Sequence, residues 1–483
     1  MTQPVFQDAI HRCQLFGTFS EDVLKTAGSR LAALTPAELF RINPLRFASQ
    51  ASLAEETCID LFVCGTRAGL FELSFDVICT TCGGILHSSP DLGALQSLVF
   101  CELCMFEKVV TLDEMIEASF TASPSIAPTA VDRYRDYPTF RHFHFSHNFQ
   151  PSPELLEYLQ TNGLAFVFIH PHEEAEIPFH AAQGDLVRLV SVSPHTGVSM
   201  RIDGRPGSGD ADFRALVISD QGFSKNDLTL PQGTTSITVK NASNRTVGIK
   251  ALRSNVEKLH EILRERPSGM APYLSGRAIL HNKYFRRYFR INEARRDFGL
   301  LIRNVTVLFT DLVGSTQMYD RLGDVSANRV VQQHFSVLNG LIERHGGVTV
   351  KTMGDAVMAT FLTPKAATEC AVEMIRSMTR VLWRDGAPLG LKIGIHEGPA
   401  LTVSNQGIPD YFGQTINIAA RIQKLAGENE IRISGTAMNE PGIEDILSRH
   451  GFESESETVR LKGVDAPVTV FCCRPRDESP VTP

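Results

Sequence analysis

With 483 residues the chain exceeds one ordinary core, and roughly two to four domains are expected. Hydrophobic residues at 43% and charged residues at 21% exclude a mainly disordered chain. No apolar run approaches the roughly 18 residues of a membrane span, and a formal net charge of −7 excludes a surface that binds polyanions as a whole. Met1–Cys13 lacks a basic stretch followed by an apolar one, so no secretory signal is expected and a cytoplasmic location is the default.

The first 35 residues read as two short helices, with Ser20 as an N-cap and Val23, Leu24, Ala27 and Leu31 on one face. Pro36–Phe40 and Pro44–Ser49 read as short helices and Leu53–Arg67 as a longer one, stopped by Gly69. Leu70–Ile78 then alternates as a strand. Three helices and a hairpin make residues 1–78 a helical, winged-helix-like region.

Ten cysteines follow no secretory pattern: Cys13, Cys58, Cys64 and Cys370 are scattered, and Cys472 and Cys473 are neighbours. The other four form Cys79-x2-Cys82 and Cys101-x2-Cys104, separated by 18 residues. Two such pairs on hairpin tips offer four thiolates to one structural Zn²⁺, so residues 79–112 read as a zinc ribbon rather than a redox site.

Residues 113–252 carry strand patterns at Ile116–Thr121, His142–His147, Leu164–His170, Val187–Val192, Phe213–Ser219, Ser236–Asn241 and Val247–Leu252, which predicts a β-sandwich-like domain. His142 and His144 would share a strand face there, as would His170 and His172; solvent exposure is the preferred reading over a metal or pH-sensing cluster. Gly204-x2-Gly207-x-Gly209 has no helix after it and reads as a turn, not a phosphate loop. A helical connector spans 253–303, with helices at Val256–Arg266 and His281–Phe298. The second carries Lys283, Arg286, Arg287, Arg290, Arg295 and Arg296 beside an aromatic stripe of Tyr284, Phe285, Tyr288 and Phe289, and is read as a coupling helix rather than a membrane-surface one.

Residues 304–473 alternate strands and helices. Strands fall at Val305–Thr310, Val348–Thr352, Ala356–Phe361, Leu391–His396, Ile431–Ser434 and Val468–Cys472. Helices fall at Ala327–His345, Pro364–Trp383 and Thr415–Ala426, and residues 474–483 form a polar, flexible tail.

Chemistry concentrates in this last block. In Phe309-Thr310-Asp311-Leu312-Val313-Gly314-Ser315-Thr316 an apolar strand delivers a carboxylate, and a glycine turn then opens a helix whose free amides can cradle phosphate. Lys351-Thr352-Met353-Gly354-Asp355 puts a second carboxylate on a hairpin tip. Asp410-Tyr411-Phe412-Gly413 leads into a helix on which Asn417 and Arg421, four apart, share a face. Taken singly these are a turn former, a hairpin tip and a solvated face; together they describe two-metal phosphoryl chemistry.

In order and spacing these residues resemble the catalytic domain of class III adenylate and guanylate cyclases, over roughly Val305–Phe471. The resemblance implies a ferredoxin-like βαββαβ core within a multidomain α+β chain, and a homodimer with active sites across its interface. By position, Asp311 and Asp355 match the two metal carboxylates, with Leu312 adding a backbone carbonyl, for two Mg²⁺ or Mn²⁺ per site. Lys351 and Asp410 match the pair that reads adenine, Asn417 the ribose-orienting amide, and Arg421 the guanidinium that stabilises charge at the α-phosphate. Lys462 matches a polyphosphate-binding lysine, and Gly314, Ser315 and Thr316 are the helix-start residues expected to take phosphate through their free amides. Guanylate cyclases carry a Glu at the place of Lys351 and a small residue at that of Asp410, so Lys plus Asp favours ATP. Ser315 stands where many members have Phe, and Phe412 where many have Trp. His396, in Gly394-Ile395-His396-Glu397-Gly398, is read as structural.

The N-terminal part, with Ile42-Asn43-Pro44, Ala68-Gly69-Leu70-Phe71-Glu72-Leu73 and the cysteine pairs, resembles a module often found upstream of bacterial cyclase domains. The expected function is an adenylate cyclase making 3′,5′-cyclic AMP and pyrophosphate, regulated by its N-terminal half. The alternatives are a guanylate cyclase, or a zinc-containing nucleotide-binding regulator without turnover. Nucleic-acid binding is not expected, because Leu53–Arg67 carries Glu55, Glu56 and Asp60 and only Arg67 as a cation.

Overall fold

The computed structural model describes residues 3–127, 131–204, 215–231, 234–291, 299–380 and 389–476. The chain divides into two compact units, Met1–Val110 with Glu114–Gly276, and Thr111–Asp113 with Arg277–Pro483.

The first unit opens on helices α1 (Gln3–Ala9), α2 (Glu21–Ala32), α3 (Pro44–Ala51) and α4 (Glu55–Arg67). Ser20 caps α2 by accepting the Val23 amide, and Asn43 caps α3 with Pro44 in the first turn. Pro36–Phe40 is a turn rather than the expected helix. Thr35 and Glu38 close it locally, and Arg41 (φ 51°) then redirects the chain so that Ile42 can pair with Phe120.

Next come β1 (Phe71–Ile78), β2 (Ile85–Ser89), the hairpin β3 (Leu98–Cys101) and β4 (Phe106–Val109), and β5 (Ile116–Ala122). β5 lies along β1 in a three-stranded sheet of order β2–β1–β5, so Ile116–Thr121 belongs to this layer and not to the later strand set. Two buried carboxylates face one another across the β1–β5 register. Asp76 is met by Arg41 and Ser119, and Glu117 by Ser146 and Asn148.

His142–His147 is not a strand. Asp136 caps a helix, α5 (Tyr137–His144), with proline in its first turn, and Phe140 and Phe143 are buried at helical spacing. The two histidines therefore do not share a strand face: the His142 ring stacks on His147, and burial pushes His144 down to about 3. β6 (Phe149–Gln150) and α6 (Pro153–Thr161) follow.

The remaining strands of this unit are β7 (Gly163–Ile169), β8 (Glu174–Pro178), β9 (Leu186–Val192), β10 (His195–Gly204), β11 (Ala215–Ser219), β12 (Gly222–Phe223), β13 (Asp227–Pro231), β14 (Ser236–Asn241) and β15 (Val247–Arg253). They form sheets of order β13–β10–β9–β15–β7 and β12–β11–β14–β8. Inward residues of both, such as Leu189, Met200 and Ile249 against Ile177, Leu216 and Val239, make one core. Phe213, Gly207 and Gly209 lie outside the described residues. α7 (Val256–Glu265) and β16 (Gly269–Met270) complete the unit.

α8 (Gly276–Leu280) and α9 (Lys283–Tyr288) follow. α9 is far shorter than the expected His281–Phe298: Phe289 is already extended, and Ile291 donates its amide to Gly407 instead of continuing a helix. Residues 292–298, with Arg295 and Arg296, lie outside the described residues.

The second unit then runs β17 (Leu300–Leu312), α10 (Ser315–Arg344), β18 (Val348–Met353), β19 (Ala356–Phe361), α11 (Pro364–Arg380) and β20 (Leu391–Asn405). The order β18–β19–β17–β20, antiparallel throughout, is the ferredoxin-like βαββαβ arrangement. α10 breaks at Gly323 (φ 71°, ψ 159°), so the expected Ala327–His345 helix is its second limb. Trp383, the expected end of α11, lies outside the described residues. β21 (Ile408–Phe412) folds back on the far half of β20, and α12 (Gln414–Leu425) packs on that strand. β22 (Glu430–Ser434) adds parallel to β20, and after α13 (Gly435–Met438) and α14 (Ile443–Arg449) the sheet ends with β24 (Val468–Pro475) and β23 (Phe452–Val459). One face is covered by α11 through Ala367, Cys370, Ala371, Met374, Ile375 and Met378.

Gly394 of β20 lets α12 approach the sheet: a Cβ there would lie 2.4 Å from the Gln423 backbone nitrogen. Backbone cannot swing aside, so Gly394→Ala is expected to destabilise this unit by about 1–3 kcal/mol, as a lower unfolding midpoint in urea at unchanged slope.

Candidate active site

β17 is buried along most of its length, and Asp311 emerges half-buried where the strand ends. The next carboxylate comes from a two-residue turn. Met353 pairs with Ala356 across β18 and β19, leaving Gly354 and Asp355 at the tip, with Gly354 at φ 64°. His334 of α10, fully buried, donates its Nε2 hydrogen to the Asp355 carbonyl at 3.3 Å and steadies that tip.

The two acids converge. Burial first, and then the Asp355 charge, push the Asp311 carboxyl above the usual range, while Lys392, opposite it in the β17–β20 register, pulls the other way. Asp355 Oδ2 is buried without a hydrogen-bond partner. Acids held close, with one oxygen unanswered, fit a cation. Leu312 is buried at the end of β17; Gly314 (φ 72°) then turns the chain so that Ser315 and Thr316 present the first amides of α10.

Lys351 and Asp410 meet although 59 residues separate them: Nζ donates to Oδ1 at 3.0 Å and to Oδ2 at 2.7 Å. Asp410, 9% exposed, also accepts the Tyr411 amide. The pair presents an ammonium beside a carboxylate, a donor next to an acceptor.

α12 divides its functional side chains between opposite faces. Gln423, buried, is near enough to Asp311 to pull its carboxyl down, although its Nε2 meets no hydrogen-bond partner among the described residues. Arg421 is two residues back, and so projects about 200° away around the helix, with Asn417 on its side. Asn417 is exposed; among the described residues neither it nor Arg421 makes a side-chain hydrogen bond or ion pair with Asp311 or Asp355. The Arg421 guanidinium instead lies 3.5 Å from where a Gly463 Cβ would be, which brings the Lys462–Gly463 turn beside it. Exposed Lys462 and half-buried Arg421 thus share a neighbourhood. His334, Lys392 and Gln423 were missed by sequence reasoning: buried helix positions and an alternating strand give no sign that Lys392 and Gln423 lie near Asp311 or that His334 bonds the Asp355 carbonyl. His396 is buried, hydrogen-bonded to Ser434 at 2.8 Å, and pushed down to about 4 by burial.

In the first unit, Cys79 and Cys82 flank the turn after β1, and Cys101 and Cys104 the β3–β4 turn. Their Sγ atoms all lie within 4.8 Å of one another, with Cys79–Cys104 at 3.9 Å and Cys82–Cys101 at 3.7 Å. Tetrahedral zinc with bonds of about 2.3 Å needs sulfur separations of about 3.8 Å, so the cluster is compatible with that ion. His260 of α7 donates to the Cys104 carbonyl at 3.0 Å and stacks on Phe106, holding one turn in place. Glu102, inside the second pair, is clasped by the buried Arg188 of β9.

Residues 301–472 match the family described as the adenylate and guanylate cyclase catalytic domain, and residues 19–287 match a family of unknown function, DUF5939. The adenylate cyclase of Streptomyces griseus is 29% identical over 168 residues, covering 35% of this chain and 39% of that protein. The Streptomyces coelicolor adenylate cyclase is 28% identical over 198 residues, 40% of this chain and 49% of the relative. The human guanylate cyclase soluble subunit beta-2 is also 28% identical, over 38% of this chain and 30% of its own. The match thus spans less than half the length of these relatives. A solved structure of Trypanosoma brucei adenylate cyclases in their monomeric state is 24% identical, with a TM-score of 0.32, over 35% of this chain and 89% of that one. The chain therefore belongs to the DUF5939 family, and its second unit carries an adenylate and guanylate cyclase catalytic domain.

Proposed function

We propose that this protein is an adenylate cyclase, converting ATP to 3′,5′-cyclic AMP and pyrophosphate at a site completed by a second copy of the chain. The observation that carries the substrate is the Lys351–Asp410 pair. Its ammonium donates to an adenine ring nitrogen and its carboxylate accepts from the exocyclic amine, whereas guanine presents an N1–H donor to the ammonium. Asp311 and Asp355 hold the cations, together with the Leu312 carbonyl. When bound, the two divalent ions lower the pKa of the ribose 3′-hydroxyl and hold the triphosphate. Asn417 orients the ribose, Arg421 faces the charge that develops at the α-phosphate as the 3′-oxygen attacks and pyrophosphate leaves, and Lys462 with the first amides of α10 takes the polyphosphate.

The shared site rests on α12. Gln423 faces the chain's own Asp311, so Asn417 and Arg421 point away from it and toward a partner. Leu401 and Phe412, paired across β20 and β21, are 40% and 69% exposed, an apolar surface that a second copy would cover. Turnover of ATP against GTP by the full chain, with Mg²⁺ or Mn²⁺, tests the substrate: a preference for GTP would refute it.

We assign one structural Zn²⁺ to Cys79, Cys82, Cys101 and Cys104. The expected result is one zinc per chain by elemental analysis, and a lowered unfolding temperature for Cys101→Ser, because the cysteines pack with Leu155, Tyr158, Leu259 and Leu263. Regulation by the N-terminal unit is proposed from its place upstream of the catalytic domain; identical rate and effector response after its removal would refute that.

A further inference from the structure

The first unit contains a cavity of about 530 Å³ beside the cysteine cluster, between α5, α6, β7 and the turn holding Leu103. This is within the range of small-molecule sites. Leu155, Leu159, Phe145, Phe149, Phe166 and Leu103 make its walls apolar, and among the described residues no Asp or Glu lines it. Against that lining stand two cations, Arg141 of α5 and Lys250 of β15. Lys250 sits opposite Phe166 in the β15–β7 register, with Nζ 5.5 Å from the Tyr137 ring centroid. Among the described residues neither cation has a carboxylate partner.

For the half-buried Lys250 that arrangement is costly without a ligand, while Arg141 stands exposed beside it. Burial, and then the neighbouring Arg141 charge, push the Lys250 ammonium below the usual lysine range. An anion between the two heads removes both penalties, and a hydrocarbon body covers the walls. A second cavity, of about 330 Å³, is different: two of its arginines already have acids, Arg41 with Asp76 and Arg245 with Asp220.

We propose that the cavity between α5, α6 and β7 binds an amphipathic carboxylate, its acid head between Lys250 and Arg141 and its hydrocarbon body against Leu155, Leu159 and Phe166. The inference is independent of the cyclase reading, and its test uses no turnover. Dodecanoate and dodecanol are titrated calorimetrically, below micellar concentrations, into the full chain. The expected result is one dodecanoate per chain, bound at least about ten-fold more weakly by Lys250→Met and by Arg141→Gln, with dodecanol weaker than dodecanoate and indifferent to either change. Ala165→Trp, which fills the cavity, is expected to abolish binding. If that variant does not fold, the two charge variants carry the test, since their side chains reach the solvent boundary and their unfolding temperatures report integrity. Absence of dodecanoate binding, dodecanol binding as tightly as the acid, or folded charge variants that bind like the parent would each overturn the proposal.

Discussion

Asp355→Asn is expected to lower ATP turnover by on the order of 10³ or more, because cation ligation supplies several kcal/mol to this kind of reaction. The amide keeps the shape of the hairpin tip, and His334 contacts the backbone carbonyl rather than the side chain, so the turn should persist. Removing the charge also relieves Asp311, whose carboxyl is held high partly by its neighbour. The cation-free protein should therefore unfold at the same temperature or slightly higher, while the extra stability that Mg²⁺ or Mn²⁺ confers on the parent shrinks. Calorimetric melting with and without cation, beside the assay, separates lost ligation from lost structure. A variant that kept its rate, or lost it only by unfolding, would contradict the assignment.

Arg421→Ala is expected to cost about 10²–10³ in kcat with little change in KM, the signature of a donor that meets charge only in the transition state. Arg421→Lys should not restore the rate, since a point ammonium does not reproduce the planar fork. The side chain is half-buried beside the Gly463 turn, so truncation leaves space at a loop and should disturb the fold little. A rise in KM with unchanged kcat would instead mark Arg421 as a binding group for ground-state phosphate.

Most of the catalytic unit was legible because its signals are local. The Asp311 strand, the Gly354–Asp355 tip and the α11 stripe each depend on residues close in sequence, and all stand where the pattern puts them. The Lys351–Asp410 contact spans 59 residues, and only the resemblance to a family joined its members. Misreadings fell where a cap or a long-range pairing overrode alternation. Asp136 turned an apparent strand around His142 into α5, and pairing with β1 drew Ile116–Thr121 out of the later sheets. The Ile291–Gly407 bond ended α9 early, although the aromatic stripe beside it has helical spacing. Gln423, whose position explains why Arg421 faces outward, looks like any polar residue on an amphipathic helix.

The central claim is that carboxylates of one chain and the arginine of another act on the same nucleotide. Mixing two inactive variants, Asp355→Asn and Arg421→Ala, measures this directly. Random pairing leaves one intact site in each mixed dimer, so an equimolar mixture should recover about a quarter of parental activity. A mixture no more active than its components, although mixed dimers are demonstrably present, would contradict the account.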